Sequence, residues 1–320
     1  MAILVTGGTG FIGAAVVREL LARGEREVTV FHVSNAIWRL QDVADQVTFV
    51  QGDLGNMSHL LDAVKQSRPA AIYHLGAMLS VASDLDPAAA MQANVNGTFN
   101  VLEAARLLDV PQVIFASSIG TYGADVDGDQ FDDLTIQRPL SFYGSAKLFG
   151  EHSGNFYRRR YGLDFRSIRF PGVAGAGVRT PGAAQFHSWM VEESAKGRAY
   201  TVAAAEHTQV PIVYVKDAAR GVLKLASAPV EDLRMFNYLI SGVPPTPTAG
   251  ELAELVRARV PGAAISFDPD PVRQQMLEKM IKPIDDRFAR QEWGWAPEFD
   301  AAALIDDILL ELTEHPGRYA

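Results

Sequence analysis

Residues 3–17 read Ile-Leu-Val-Thr-Gly-Gly-Thr-Gly-Phe-Ile-Gly-Ala-Ala-Val-Val: a short apolar run, glycines at 7, 10 and 13, and then apolar residues at helical spacing. A strand that passes into a helix through residues without Cβ atoms lets a ligand lie against the main chain. There the free N–H groups and the dipole of the helix N-terminus meet negative charge, and a pyrophosphate is the group such a cradle suits. Gly7, Gly10, Phe11, Ile12 and Gly13 are therefore the candidate cradle, with Gly13 allowing helix and strand to pack closely. A glycine-rich turn with no ligand would show the same local pattern, so the decision rests on what surrounds it.

Outward from the cradle, short runs rich in branched side chains recur at 28–31, 47–50, 71–74, 113–116 and 166–170, separated by segments of helical period such as 14–23 and 94–108. Such alternation implies βαβ units, and the nearly continuous apolar character of the first runs implies strands covered on both faces. The expected fold is α/β: a doubly wound parallel sheet of the Rossmann type with a smaller C-terminal α/β substrate lobe. The cofactor half is expected over 1–170, with 210–240 returning to it, and the substrate lobe over 171–209 and 241–320. Within the second half, 210–215 reads as a strand and 217–225 as a helix. Thr246 followed by Pro247 reads as the cap of a helix running to Arg259, and 301–312 as a last amphipathic helix.

Composition narrows the function. Acidic residues outnumber basic ones by 38 to 29, so no net positive field exists to hold a nucleic-acid backbone or an anionic membrane, and neither is an expected partner. Cysteine is absent, which removes disulfides, thiolate nucleophiles, iron–sulfur clusters and cysteine-ligated zinc. No histidine pair stands at ligand spacing, and Asp125-Val-Asp-Gly-Asp129 fails as a calcium loop because Gln130 and Ile136 occupy the positions that need glycine and glutamate; no metal is expected. With no bilayer-length apolar run, no leader and no lipidation box, the expected location is cytoplasmic.

The glycine spacing is followed by Gly52-Asp53-Leu54, by His74-Leu75-Gly76-Ala77 and by Asn94-Val-Asn-Gly-Thr98. With these motifs the chain resembles, over nearly its whole length, the extended short-chain dehydrogenase/reductase superfamily and its NAD-dependent epimerase/dehydratase group. The resemblance implies a nicotinamide cofactor, with Asp53 and Leu54 at the adenine and Leu75, Gly76 and Ala77 lining the cofactor. It further implies Asn94 bridging fold and active site, and Pro171 near the nicotinamide amide. On the residues alone, Asp53 equally suits a turn acid, Asn94 a helix cap, His74 a satisfied core histidine and Pro171 a plain strand end. One departure matters: His32 stands where members that prefer NAD usually carry an acid for the adenosine ribose. Nothing in the sequence then excludes NADP, whose phosphate Ser34 or Arg39 could receive, although a lone arginine is more often a solvated cation. NAD and NADP both remain open.

Tyr143-Gly-Ser-Ala-Lys147 sets a phenol and an ammonium four residues apart, on one face of a helix. A phenol of pKa about 10 is a poor base near neutrality, and a neighbouring cation favours the phenolate. Tyr143 is the expected acid/base, and Lys147 the residue that poises it and binds the cofactor ribose. The resemblance adds Ser118, from Ser117-Ser-Ile-Gly-Thr121, as the group that holds the substrate oxygen, with Thr121 assisting. It also implies a homodimer through helices around 94–108 and 144–160.

The family's sugar-nucleotide epimerases carry an asparagine in the stretch that here reads Arg169-Phe-Pro-Gly-Val-Ala-Gly-Ala-Gly177, without one. The segments 117–123, 169–172 and 210–214 are most similar to the short-chain type of L-threonine 3-dehydrogenases. That likeness stops at the substrate loop, where Thr180-Pro-Gly-Ala-Ala-Gln185 replaces consecutive threonines. The expected activity is hydride transfer between NAD(P) and a small hydroxylated substrate, a threonine-like amino acid or hydroxy acid. Ser80, Ser118, Thr121, Thr180, Gln185 and Trp189 are the candidate substrate contacts. A nucleotide-sugar 4-epimerase or dehydratase that retains NAD is the alternative, and a dinucleotide-binding protein without catalysis is the alternative of another class.

Overall fold

Along the first strand of the computed structural model, which describes residues 1–34, 36–182 and 185–319, Ile3 and Val5 point into one apolar cluster and Leu4 into another. A strand with both faces buried is what a nearly all-apolar run predicts, and it requires a helix layer on each side. In chain order the strands are β1 (Ile3–Thr6), β2 (Val28–His32), β3 (Thr48–Gln51), β4 (Ala71–His74), β5 (Gln112–Ser118), β6 (Asp164–Phe170), β7 (Gly172–Ala174), β8 (Tyr200–Val202), β9 (Ile212–Tyr214), β10 (Asn237–Leu239) and β11 (Ile265–Phe267). Seven form one parallel sheet in the order β10-β6-β5-β4-β1-β2-β3. The order reverses direction between β1 and β4, which opens a crevice at the carboxyl ends of those strands. β7 pairs with β9 and β8 with β11, in two small parallel sheets of their own.

The helices are α1 (Phe11–Ala22), α2 (Met57–Ser67), α3 (Ser80–Leu85), α4 (Pro87–Ala90), α5 (Gly97–Leu107), α6 (Phe142–Tyr161), α7 (Phe186–Ala195), α8 (Val215–Ser227), α9 (Ala249–Arg259), α10 (Pro271–Met280), α11 (Arg287–Trp293) and α12 (Ala301–Glu314). α1 and α8 pack on each other over one face of the large sheet, burying Val16, Val17, Val222 and Ile168. α2, α5 and α6 cover the other face around Ile72, Val101, Phe115 and Phe165. A third cluster, built on Met190, Val191, Leu252, Val256, Leu304 and Ile308, joins α7, α9 and α12 beyond the sheet.

Several boundaries differ from the sequence reading, each for a local reason. α1 begins at Phe11 because Gly10 is its N-cap. The helix expected from 94 begins with a π-helical turn, Met91–Asn96, before α5. The strand expected over 210–215 is only three residues long, and its partner is β7. The helix of residues 249–259 is capped by Thr248: its hydroxyl accepts the Glu251 N–H (3.1 Å) and the Glu251 carboxylate accepts the Thr248 N–H (2.8 Å). That reciprocal pair satisfies two amides at once, which Thr246 with Pro247 could not do.

Candidate active site

The cradle depends on contacts that tolerate no side chain. Gly7 has φ +68°, and a Cβ on it would stand 2.5 Å from Gly76 Cα; one on Gly13 would stand 2.1 Å from the Gly7 carbonyl. Both positions therefore require glycine, and the second explains how α1 packs so closely on the end of β1. No side chain caps α1 at Gly10. The N–H groups of the first turn are left for a ligand, so the residues present fit a dinucleotide pyrophosphate. The 75–77 segment lies directly against Gly7.

Asn94 is buried inside the π turn and caps no helix. Its amide closes on Met78 from both sides, Oδ1 accepting the Met78 N–H (2.7 Å) and Nδ2 donating to the Met78 carbonyl (2.9 Å), with a further bond to Ser83 Oγ (3.2 Å). It thus braces the chain that leaves the 75–77 segment. His74 is a core histidine: its ring nitrogens meet the hydroxyls of Thr6 (2.7 Å) and Thr98 (3.1 Å). Burial and the Lys147 charge hold it down at about 3. Asp53 is exposed and turns back on its own backbone, Oδ1 accepting the Gly55 N–H (2.8 Å), so the turn-acid role is present. Leu54 lies under Gly76 and Gly97, and Pro171 is buried between β6 and β7.

At the end of β2, His32 is buried against the Phe49 ring, and its Nδ1 meets the Ser34 carbonyl (2.5 Å). A carbonyl only accepts, so Nδ1 carries the hydrogen. Arg39, its Nε buried without a partner, is half-buried rather than a solvated cation. It donates to the carbonyls of Gly177 (2.9 Å) and Thr9 (3.5 Å) and lies over the Trp38 ring (3.9 Å). Burial and the nearby Arg179 pull it down to about 10. Arg39 therefore ties the cradle loop to the segment that follows β7.

β5 ends in Ser118, whose Oγ accepts the Gly120 N–H (3.0 Å) and caps the short turn Ile119–Thr121. α6 starts against that turn, with Ser141 as its N-cap. A Cβ on Gly144 would stand 2.0 Å from the Gly120 carbonyl, so the glycine inside Tyr143-Gly-Ser-Ala-Lys147 is what lets the helix carry Tyr143 up to Ser118. Ser118 Oγ and the Tyr143 ring meet over Gly120, 3.4 and 3.6 Å from where a Cβ on that glycine would stand. Burial pushes the phenol up to about 12, with the Ser118 hydroxyl opposing. Lys147, one turn along, donates to the Ala116 carbonyl (2.6 Å) and lies over the rings of Phe115 and Tyr143. Burial brings it down to about 7, with Glu151 opposing.

The sequence reading did not single out Glu151 or Gly144. Glu151 is fully buried and accepts from Ser117 Oγ (2.5 Å), Gln137 Nε2 (2.9 Å), Asn237 Nδ2 (2.9 Å) and the Nε and Nη2 of Arg169 (2.9 and 2.8 Å). Its spacing of four and eight residues from Lys147 and Tyr143 was a readable signal: an acid on the inner face of the same helix.

The candidate substrate contacts fare unevenly. Ser80 opens α3, just after the 75–79 segment, and is half-buried. Thr121 is fully buried and donates its hydroxyl to the Ser118 carbonyl (3.0 Å), so it braces the turn and offers nothing to a substrate. Trp189 is also corrected: its indole donates to the Val178 carbonyl (3.0 Å) and lines a cavity of about 720 Å³ with Arg179, Lys196, Tyr200 and Tyr319, a lining that includes neither Ser118 nor Tyr143. Thr180 and Gln185 flank residues 183 and 184, which lie outside the described residues, and no hydrogen bond joins either to Ser118 or Tyr143. Among the described residues no cluster of possible metal ligands occurs, and no helix is long and apolar enough to cross a membrane.

Comparison with known proteins places this geometry. Residues 3–239 match the NAD dependent epimerase/dehydratase family. The mitochondrial L-threonine 3-dehydrogenase of Bos taurus is 30% identical over 308 residues, 96% of this chain and 81% of the relative. The GalE-like L-threonine dehydrogenase from Cupriavidus necator, in its holo form, superposes with a TM-score of 0.88 at 27% identity, covering 98% of this chain and 100% of that one. The UDP-glucose 4-epimerase of Thermotoga maritima, solved with UDP-glucose, gives 0.86 at 25% identity, covering 98% and 99%.

Proposed function

The chain belongs to the NAD dependent epimerase/dehydratase family, and from that premise we propose that it oxidises the hydroxyl of a small substrate, a threonine-like amino acid or another small hydroxy acid, with NAD as coenzyme. The observation that carries this reading is the convergence of Ser118 and Tyr143 over Gly120, with Lys147 one helical turn away and the glycine cradle at the mouth of the same sheet.

The cradle at Gly7, Gly10 and Gly13 would hold the pyrophosphate through the amides of Phe11, Ile12 and Gly13. Asp53 and Leu54 would meet the adenine, Leu75, Gly76 and Ala77 would line the coenzyme, Pro171 would meet the nicotinamide amide, and Lys147 would hold the nicotinamide ribose. When bound, nicotinamide supplies the two-electron acceptor for the hydrogen that leaves the carbinol carbon. Ser118 fixes the substrate oxygen, and Tyr143 takes the hydroxyl proton. With its phenol raised by burial, Tyr143 needs positive charge nearby to act as a base, and Lys147 provides it. NAD is favoured over NADP because His32 is buried with Nδ1 donating to the Ser34 carbonyl, and both Nη atoms of Arg39 already donate to carbonyls.

The test is a panel of β-hydroxy amino acids, hydroxy acids and UDP-sugars with NAD, followed at the absorbance of reduced nicotinamide. A rise with one of the small substrates supports oxidation; conversion of a UDP-sugar to its epimer without a rise overturns it. Calorimetry with NADH and NADPH checks the coenzyme, and equal affinity for both would remove His32 as the discriminator.

The exposed apolar side chains of α5 and α6, Phe99, Leu107, Phe149, Phe156 and Tyr161, support a homodimer joined along these helices. Light scattering of the wild type should give twice the chain mass and Phe156→Glu the mass of one chain; a monomeric wild type overturns this.

A further inference from the structure

Among the buried charges that the proposed reaction leaves unused, Glu151 stands on the same helix as the groups that react. A buried ammonium gives up hydration that a single carbonyl and two ring faces do not replace, so an isolated one tends to release its proton. Lys147 is in that position. Its Nζ meets only the Ala116 carbonyl, with the rings of Phe115 and Tyr143 at 4.7 and 5.6 Å. The titratable and charged groups around it are few. On α6 they are Tyr143 and Glu151. From β4 comes His74, held neutral between two threonine hydroxyls. From β6 comes Arg169, and from the 122–133 segment Tyr122 and Asp133, which contact Arg169. Glu151 is the group that opposes the loss of the Lys147 proton.

Glu151 is also fastened. Ser117, Gln137 and Asn237, from three different segments, and the bidentate pair with Arg169 hold its two oxygens. Arg169 is held in turn, its Nη1 donating to the Tyr122 hydroxyl (2.9 Å) and the Asp133 carbonyl (3.3 Å), and Glu151 is the charge felt at Lys147. Ser117 adds a second link, because it is the strand neighbour of Ser118.

We propose that Glu151 is a positioning residue of the reaction, its fixed carboxylate keeping Lys147 in the ammonium form that Tyr143 needs in order to lose its proton; this rests on the function proposed above. Tyr143, Lys147 and Glu151 then form one column on α6, reacting group at the top, cation in the middle and anchor below.

The experiment follows the Lys147 side chain by carbon NMR in protein labelled at the lysine ε-carbon, with Lys147→Arg identifying the resonance. In Glu151→Gln the Lys147 midpoint should fall by about one pH unit or more, and the alkaline limb of turnover should move down with it. Glu151→Asp, which keeps the charge, should restore most of the shift. Should Glu151→Gln fail to fold with Arg169 stranded, Glu151→Gln/Arg169→Met removes both charges, and its midpoint should lie below that of Arg169→Met alone. An unchanged midpoint in Glu151→Gln, or an equal midpoint in the double variant and in Arg169→Met, overturns the proposal. Calorimetry with NAD runs alongside: absent coenzyme binding would overturn the function proposed above, while the titration of Lys147 would still report on Glu151.

Discussion

The half of this molecule that carries the glycine cradle and Tyr143, proposed above to hold the coenzyme, and the segment beyond β7, expected to face the substrate, are built by different means. In the first, main-chain geometry and helical spacing do the positioning: glycines that admit no Cβ, a strand end, and two side chains one turn apart on α6. In the second, a loop after β7 is held from outside. Gly177 gives its carbonyl to Arg39 and its N–H to the Glu192 carboxylate (2.7 Å), and a Cβ on it would stand 2.6 Å from the Tyr319 ring. Sites of the first kind are written in short stretches of sequence. Those of the second depend also on distant partners: Arg39 and Tyr319 both stand more than 100 residues from Gly177.

The sharpest way to break this contrast is Tyr143→Phe. If the coenzyme half is as described, turnover falls by about a thousandfold, on the order of 4 kcal/mol in the barrier, while coenzyme affinity measured by calorimetry barely moves. Wild-type turnover would remove Tyr143 from the chemistry.

Gly13→Ala comes next. Its new methyl would press on the Gly7 carbonyl, and relieving the clash should cost about 1–3 kcal/mol, seen as coenzyme affinity lowered by about ten- to a hundredfold. Unchanged affinity would mean that the cradle is not where the pyrophosphate lies.

A third test concerns the edge of the large sheet, at β10. Asp133 accepts the Leu239 N–H through Oδ1, leaves Oδ2 buried without a partner, and is pushed up to about 7 by burial. The folded chain therefore holds a proton there that the unfolded chain has released. Stability should decline as pH rises from about 4 to about 7 and stay lowered above that. Asp133→Asn keeps the acceptor and removes the charge. Its melting temperature should exceed the wild type's by a few degrees at pH 8 and match it near pH 4.5. A gain of equal size at both pH values would show that the carboxyl does not titrate in this window.

The smallest effect is expected at Trp189→Phe, which loses one bond to Val178, worth about 1 kcal/mol of stability, and leaves KM within roughly twofold. A large rise in KM would return this side chain to the substrate and blur the distinction between the halves.

The same division explains what could be read in advance. The strands of the large sheet, the cradle and the Tyr143–Lys147 pair follow from local rules of period and conformation, and the structure has them within a few residues. Asn94 lies in a π turn, which no apolar period announces, and its job of bracing Met78 needs the tertiary fold. Thr121 and Trp189 are of the right residue type for a substrate but are committed to backbone carbonyls that only the folded chain brings near. Glu151 was available as the third acid-bearing turn of one helix face, yet its donors come from residues 117, 137, 169 and 237, which spacing cannot assemble.

Arg39 spans from Thr9 in the cradle to Gly177 in the other half. One guanidinium thus acts as a rivet between two loops, and whatever stiffens either loop lowers the entropic cost of ordering the other. Occupancy of the pyrophosphate end should then be felt across that rivet as a tighter grip on the second ligand. By thermodynamic reciprocity the second ligand should tighten the binding of the first by the same factor.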